Sequence, residues 1–167
     1  MIIKAIWAEC QGIIGVDGGL VVHDKRDLEI FKTFTDGGTL VMGRSTVESL
    51  PKKLPNRTTI CMTRNRDYTN DKCDVILHSK KEVLDWAEEQ NLQELIICGG
   101  ENVYNIFMQE TDTAIVTTFE PEHLPKNILS TAKELTMAPL KVLEKGVPYS
   151  LVNIEQNEKF TTNLWSW

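Results

Sequence analysis

Arg44, Ser45 and Thr46 follow directly on the apolar run Thr39–Gly43, so a cation and two hydroxyls stand where a buried strand turns into a helix. A helix start offers unpaired backbone N–H groups and the positive end of the dipole, and a guanidinium fork fits phosphate oxygens. A second junction, Cys98 to Asn102, carries the pair Gly99–Gly100, which lets backbone approach a ligand with no Cβ in the way. A third strand ends in Thr63 and Arg64. Three strand ends with this chemistry point to one extended ligand carrying more than one phosphate. Each has an ordinary reading as well: Ser45 or Thr46 as a plain N-cap, the glycine pair as a tight turn, Arg64 as a solvated loop cation. Glu101 sets like charge beside the second junction, and neither GxGxxG nor GxxxxGK[ST] is present.

Asp27 is the other singular residue. With Leu28 and Phe31 it falls near the apolar side of a helix over residues 24–35. A helix-face carboxylate is most often solvated. One that faces an apolar cleft instead pairs with a cationic ligand group or titrates above its usual range.

Strands and helices must position these groups. Apolar runs at 2–8, 39–43, 57–63, 74–77, 94–100 and 113–119 read as strands. Between them, helical patterns cover 24–35, 45–50, 79–90 (Ser79 as cap, with Glu82 completing a capping box) and 101–110. Residues 10–20, with Gly12, Gly15, Gly18 and Gly19, read as a loop. Beyond Pro121 the runs 140–145, 149–155 and 159–167 are expected strands, the last two as an antiparallel hairpin. The alternation predicts an α/β fold with a mostly parallel sheet covered on both faces, and ligands held beyond the carboxyl ends of its strands.

A chain of 167 residues has the size of a single domain, and residues 1–167 are read as one. The net charge of −6 argues against nucleic acid or anionic membrane as partners. Cys10, Cys61, Cys73 and Cys98 form no CxxC pair and lack zinc-ligand spacing, so no metal is expected, and free thiols fit a reducing compartment. The start "MIIKAIWAECQG" is unlike a signal peptide, and no apolar run reaches the roughly 20 residues of a membrane span. A cytoplasmic monomer is expected.

The set "IIG" (13–15), "DLEIFK" (27–32), "VMGRSTVESLP" (41–51), "LPNR" (54–57), "CGGENVY" (98–104) and "IVTT" (115–118) resembles dihydrofolate reductase of the compact bacterial and phage type. Order and spacing fit almost without gaps through residue 119, about seven-tenths of the chain. The resemblance implies that family's fold: a central sheet of about eight strands flanked by about four helices. It also implies reduction of 7,8-dihydrofolate to tetrahydrofolate with NADPH, and antifolate inhibitors as further ligands. Asp27 and Thr117 match the carboxylate at the pterin ring and its bridging hydroxyl. Ala5, Leu28, Phe31, Leu50 and Leu54 match the substrate slot, Arg57 the clamp on the glutamate α-carboxylate, and Lys52 a second cation.

On the cofactor side, Gly43, Arg44, Ser45 and Thr46 match the phosphate-binding helix start, and Thr63, Arg64 and His78 the surroundings of the 2′-phosphate. Cys98, Gly99, Gly100, Glu101, Asn102, Val103 and Tyr104 match the segment around pyrophosphate and nicotinamide, and Trp7 a backbone contact to the nicotinamide. Ile13, Ile14, Gly15, Val16, Asp17, Gly18 and Gly19 match the loop that closes over that ring. Three departures stand out. Val21-Val22 replaces the family's Pro-Trp, whose tryptophan holds the water near the carboxylate; Glu101 replaces the third residue of its GGG or GGS run; and after residue 121 its acidic loop motif is not recognisable. They are expected to weaken activity. Two rivals remain: the related NADPH-dependent pyrimidine reductase of riboflavin biosynthesis, and a catalytically weak NADPH- or folate-binding module.

Overall fold

The runs that read as buried on both faces form the centre of the sheet. The computed structural model describes residues 1–167, apart from the side chains of Leu129, Leu140 and Leu143. Its strands are β1 (Ile2–Glu9), β2 (Ile13–Val16), β3 (Gly19–Leu20), β4 (Thr39–Gly43), β5 (Thr58–Met62), β6 (Val75–Leu77), β7 (Glu94–Ile97), β8 (Thr113–Phe119), β9 (Leu135–Met137), β10 (Ser150–Gln156) and β11 (Phe160–Ser166). Its helices are α1 (Lys25–Thr35), α2 (Arg44–Ser49), α3 (Lys80–Glu89), α4 (Glu101–Phe107) and the short α5 (Ile128–Thr131). Eight strands make one sheet in the order β10-β11-β8-β1-β7-β4-β5-β6. All neighbours from β8 to β6 run parallel, and β11 and β10 close the other edge antiparallel. The expected fold class and C-terminal hairpin are what the chain adopts.

Alternation along the strands divides the core. Ile3, Ala5 and Trp7 of β1 pack with Leu95, Ile97, Val83, Val103, Tyr104 and Phe107 under α3 and α4. Ile6 points the other way, into a cluster with Leu40, Met42, Val47, Ile96 and Ile115 that Phe31 and Phe34 of α1 cover. A third cluster, with Ile13, Val21, Ile30, Phe119 and Phe160, joins α1 to the C-terminal hairpin. The Phe119–Phe160 ring pair, 5.2 Å between centroids and edge-on, sits at the β8–β11 seam; such a pair contributes about 0.5–1.5 kcal/mol beyond its buried area.

Four expectations change. Residues 10–20 are not simply a loop: β2 and β3 form a hairpin that β9 extends into a separate three-stranded sheet. Asp17 at φ 49° and Gly18 at φ +84° make its turn, and Asx–Gly is the pair that tolerates such angles. β9 is three residues long, too short for a period to register. Residues 140–145 form a 3-10 helix rather than a strand, entered through Pro139 and left through Gly146 at φ +76°. Ser79 caps α3 by accepting from Glu82 N–H at 3.2 Å, but Glu82 answers His78 N–H at 2.8 Å, one residue earlier than a capping box requires. On α1 it is Asp27 and Ile30 that are buried, while Leu28 is exposed.

Candidate active site

The first turn of α1 is built to carry Asp27. Asp24 caps the helix by accepting from the N–H of Arg26 at 2.8 Å and of Asp27 at 3.1 Å. Asp27 is 8% exposed while the adjacent Leu28 is 45% exposed. The helix therefore turns its carboxylate, and not its leucine, toward the protein, against the ordinary preference of both residue types. Burial pushes the Asp27 carboxyl above its usual range; a hydrogen bond from Thr117 opposes this, and the Asp24 charge adds to it. Thr117, on β8, is itself buried, and its Oγ1 lies 2.8 Å from Thr162 Oγ1 on β11. The solvated-face reading of Asp27 therefore fails.

The apolar residues assigned to the slot fall into two neighbouring groups. Phe31, Leu50 and Leu54 pack on one cluster with Cys98, and Ala5 lies in the other with Trp7, Ile14, Val103 and Tyr104. At the far end, the Arg57 side chain is 3% exposed, despite its charge. Its Nε donates to Thr35 Oγ1 at 3.1 Å, Nη1 to Pro55 O and Nη2 to Lys32 O at 2.6 Å each, with Asp36 Oδ1 at 3.7 Å. A guanidinium fixed on three sides against the last turn of α1 is set in advance for an anion. It lines a hollow of ≈ 520 Å³ with Lys53, Leu54 and Asn56. Lys53, not the exposed Lys52 expected there, borders this hollow, and Lys53 is already paired with Asp74.

The two glycine-bearing junctions meet, because β4 and β7 are neighbours. Gly43 N–H donates to Gly99 O at 2.7 Å. A Cβ on Gly100 would lie 3.4 Å from Thr46 Oγ1, and one on Gly99, at φ +106°, 3.0 Å from the Tyr104 ring. The Gly99–Gly100 peptide is cis. Gly43 caps α2 and Gly100 caps α4, neither with a side-chain bond. The plain N-cap reading of Ser45 and Thr46 is thereby excluded, and the first N–H groups of both helices open on a shared cradle. Arg44 at its edge pairs with Glu48 at 2.8 Å and lies over the Tyr68 ring at 5.1 Å; an exposed pair of this kind is weak and exchanges readily for phosphate. Thr63 follows β5, its carbonyl 2.8 Å from His78 Nδ1, and Arg64 is exposed beside it.

Glu101 does not crowd the cradle. Its carboxylate accepts from Met137 N–H at 3.3 Å, tying the start of α4 to β9. The turn of the small sheet is held in a similar way: Asp17 Oδ1 accepts from the N–H of Lys133 and Glu134 at 2.8 Å each. Ile13 and Ile14 are buried, whereas Asp17, Gly18 and Gly19 are exposed. Trp7 presents more than backbone: its ring lies 5.6 Å from that of Tyr104, and its Nε1 donates to Glu9 at 3.1 Å. Tyr104, kept neutral by burial, donates to Ile6 O at 2.6 Å. Burial likewise pushes the Cys98 thiol well up, so this sulfur is no nucleophile.

The model of the dihydrofolate reductase family matches residues 2–134. The chain belongs to that family. The dihydrofolate reductase of Lactococcus lactis subsp. lactis (strain IL1403) is 38% identical over 113 residues, 66% of this chain and 67% of that one. That of Bacillus subtilis (strain 168) is 34% identical over 114 residues, 68% of this chain and 66% of the relative. A solved dihydrofolate reductase from Enterococcus faecalis, complexed with NADP(H) and RAB-propyl, superposes with a TM-score of 0.77 at 28% identity, covering 99% of this chain and 95% of that one. The sequence matches thus span about two thirds of each chain, whereas the dihydrofolate reductase fold runs through nearly all of both. Val22, where members carry tryptophan, is half-buried against the cluster of Val21, Ile30 and Phe119. Thr162, which the sequence reading missed, lies beyond the family match; the period-two pattern of Phe160, Thr162 and Leu164 was its only signal.

Proposed function

We infer that this chain is an NADPH-dependent dihydrofolate reductase, converting 7,8-dihydrofolate to 5,6,7,8-tetrahydrofolate. The observation that carries the reading is Asp27, a carboxylate buried on α1 with its pKa raised by that burial, in a fold whose two helix starts at Gly43 and Gly100 share one uncapped cradle. The cradle fits the cofactor's phosphates: glycines where a Cβ would intrude, free N–H groups, and Arg44, Ser45 and Thr46 at its rim. Bound NADPH supplies the hydride that pterin C6 accepts from nicotinamide C4.

The chain's own residues do the rest. Asp27 accepts hydrogen bonds from the pterin and, as an anion in an apolar slot, favours the ring protonated at N5. Thr117 orients that carboxylate. Ala5, Leu28, Phe31, Leu50 and Leu54 exclude water around the ring, and Arg57 holds the glutamate α-carboxylate. Thr63, Arg64 and His78 receive the 2′-phosphate. Trp7, Cys98, Gly99, Gly100, Asn102, Val103 and Tyr104 border the nicotinamide and pyrophosphate, with Ile13, Ile14, Gly15 and Val16 over them. A single unit over residues 1–167, acting as a cytoplasmic monomer in one-carbon metabolism, completes the reading. No helix among the described residues is long and apolar enough to cross a membrane, and all four cysteines are free, as a reducing compartment keeps them.

Loss of NADPH absorbance on adding dihydrofolate tests this. The pyrimidine reductase reading has no use for a buried Asp27 or a fixed Arg57. Oxidation of NADPH by a ribosylated aminopyrimidine and not by dihydrofolate would restore it. Binding of both ligands with no turnover would leave a binding module.

A further inference from the structure

The Asp27–Thr117 pair does not end at Thr117. β11 lies antiparallel to β8 with Thr162 directly opposite Thr117. Their hydroxyl oxygens are 2.8 Å apart, and Thr162 is fully buried. A threonine hydroxyl has one proton to donate. When that of Thr117 goes to the ionised Asp27, the bond to Thr162 can be made only with Thr162 as donor. When Asp27 is protonated, the direction of the chain can reverse.

We propose that Thr162 is a positioning residue of the active site: by donating to Thr117 Oγ1 it commits the Thr117 proton to the Asp27 carboxylate. The proposal rests on the functional reading given above. A cross-strand threonine pair can also be a purely structural contact, but a hydroxyl that accepts one bond donates another more strongly, and here the Thr117 hydroxyl acts on the Asp27 carboxylate, opposing the rise in its pKa. The charged neighbour of Asp27 on its own helix is Asp24, held ionised, against its own desolvation, by the N–H of Asp27 and Arg26 and by Lys159. From the sheet side, β8 and β11 bring the two hydroxyls.

The consequence has a defined form in a pH–rate profile. The reactive state carries one proton, on pterin N5 with Asp27 ionised, and competes with the state in which Asp27 holds that proton. Removing the Thr162 donor favours the second state. The low-pH plateau of hydride transfer then falls, and the midpoint of the profile rises by the same factor. At high pH, where Asp27 is ionised either way, the variant and the parent converge.

The test is Thr162→Val, close in shape, with Thr162→Ser as the variant that keeps the oxygen. Single-turnover NADPH oxidation by dihydrofolate is followed across pH, and the NADPH dissociation constant is measured alongside. Thr162→Val is expected to lower the plateau by about threefold and raise the midpoint by about half a pH unit, on the scale of one net hydrogen bond. Thr162→Ser is expected to restore both, and NADPH binding to stay unchanged. Thr162→Ala, with less bulk on the strand, should reproduce the paired change. A plateau loss without a midpoint shift, equal loss in the serine variant, or a profile unchanged in valine and alanine variants would each overturn the proposal while the parent remains an active reductase. A parent that never oxidises NADPH with dihydrofolate would overturn the functional reading beneath it.

Discussion

Replacing Arg57 by leucine is expected to separate substrate recognition from the rest of the site. Three of the five guanidinium N–H groups are committed to Thr35, Pro55 and Lys32, which leaves two for a ligand carboxylate. A charge-assisted bond contributes about 1.5–3 kcal/mol, so the loss corresponds to roughly 10–150-fold weaker binding of dihydrofolate. The acceptors released near the surface can turn to water, and thermal stability should fall only modestly. The assay compares KM and kcat for dihydrofolate with those for a dihydropteridine substrate that lacks the glutamate. KM for dihydrofolate should rise, kcat should change far less, and NADPH affinity should hold. The truncated substrate should not distinguish the variant from the parent. An equal loss with both substrates would show that Arg57 acts by bracing α1 against the loop before β5, not by holding a carboxylate.

The cofactor should be NADPH over NADH by on the order of tenfold or more in kcat/KM, because Arg44, Thr63 and Arg64 adjoin at neighbouring strand ends; Arg64→Ala should narrow that gap, and equal use of the two cofactors by the parent would remove the 2′-phosphate subsite. Stability carries its own signature of Asp27. Its folded pKa is raised above the 3.8 of an exposed carboxyl, so its contribution to stability is full below that value and lost as pH rises through the folded one. Asp27→Asn should therefore unfold at a higher temperature than the parent at neutral pH and at the same temperature below about pH 4; a variant less stable at neutral pH would mean that the folded site stabilises the anion.

How much of this was legible follows the physics of each segment. β4, β5 and β7 are nearly continuous apolar runs because they are covered on both faces, and such runs read plainly. The junctions at Gly43 and Gly100 were visible as residue types, but that they share one cradle depends on β4 lying next to β7, which no local pattern encodes. Residues 13–20 looked like a loop because strands of four and two residues are too short for a period to register, and their partner β9 is more than a hundred residues away. Asp27 could be placed near the apolar side of its helix through Leu28 and Phe31, but that the carboxylate is buried and Leu28 exposed could not be read, because residue type argues for the reverse. Lys52 and Lys53 are one residue apart in a polar loop, and only the fold decides which borders Arg57. Thr162 belongs to the site through strand register, a long-range property to which composition is blind.

The most direct test of the central claim, that a buried Asp27 promotes hydride transfer from NADPH to dihydrofolate, is the pH dependence of that step in Asp27→Asn. The parent should titrate with a midpoint above the ordinary range of an aspartate, as burial dictates. The variant, equal in shape but without the charge, should transfer hydride ~10²-fold or more slowly at neutral pH while binding dihydrofolate almost as well. Its rate should climb as pH falls, since solvent can then protonate N5 unaided. A variant that reduces dihydrofolate at the parent's rate near pH 7, with the parent's midpoint, would contradict the account.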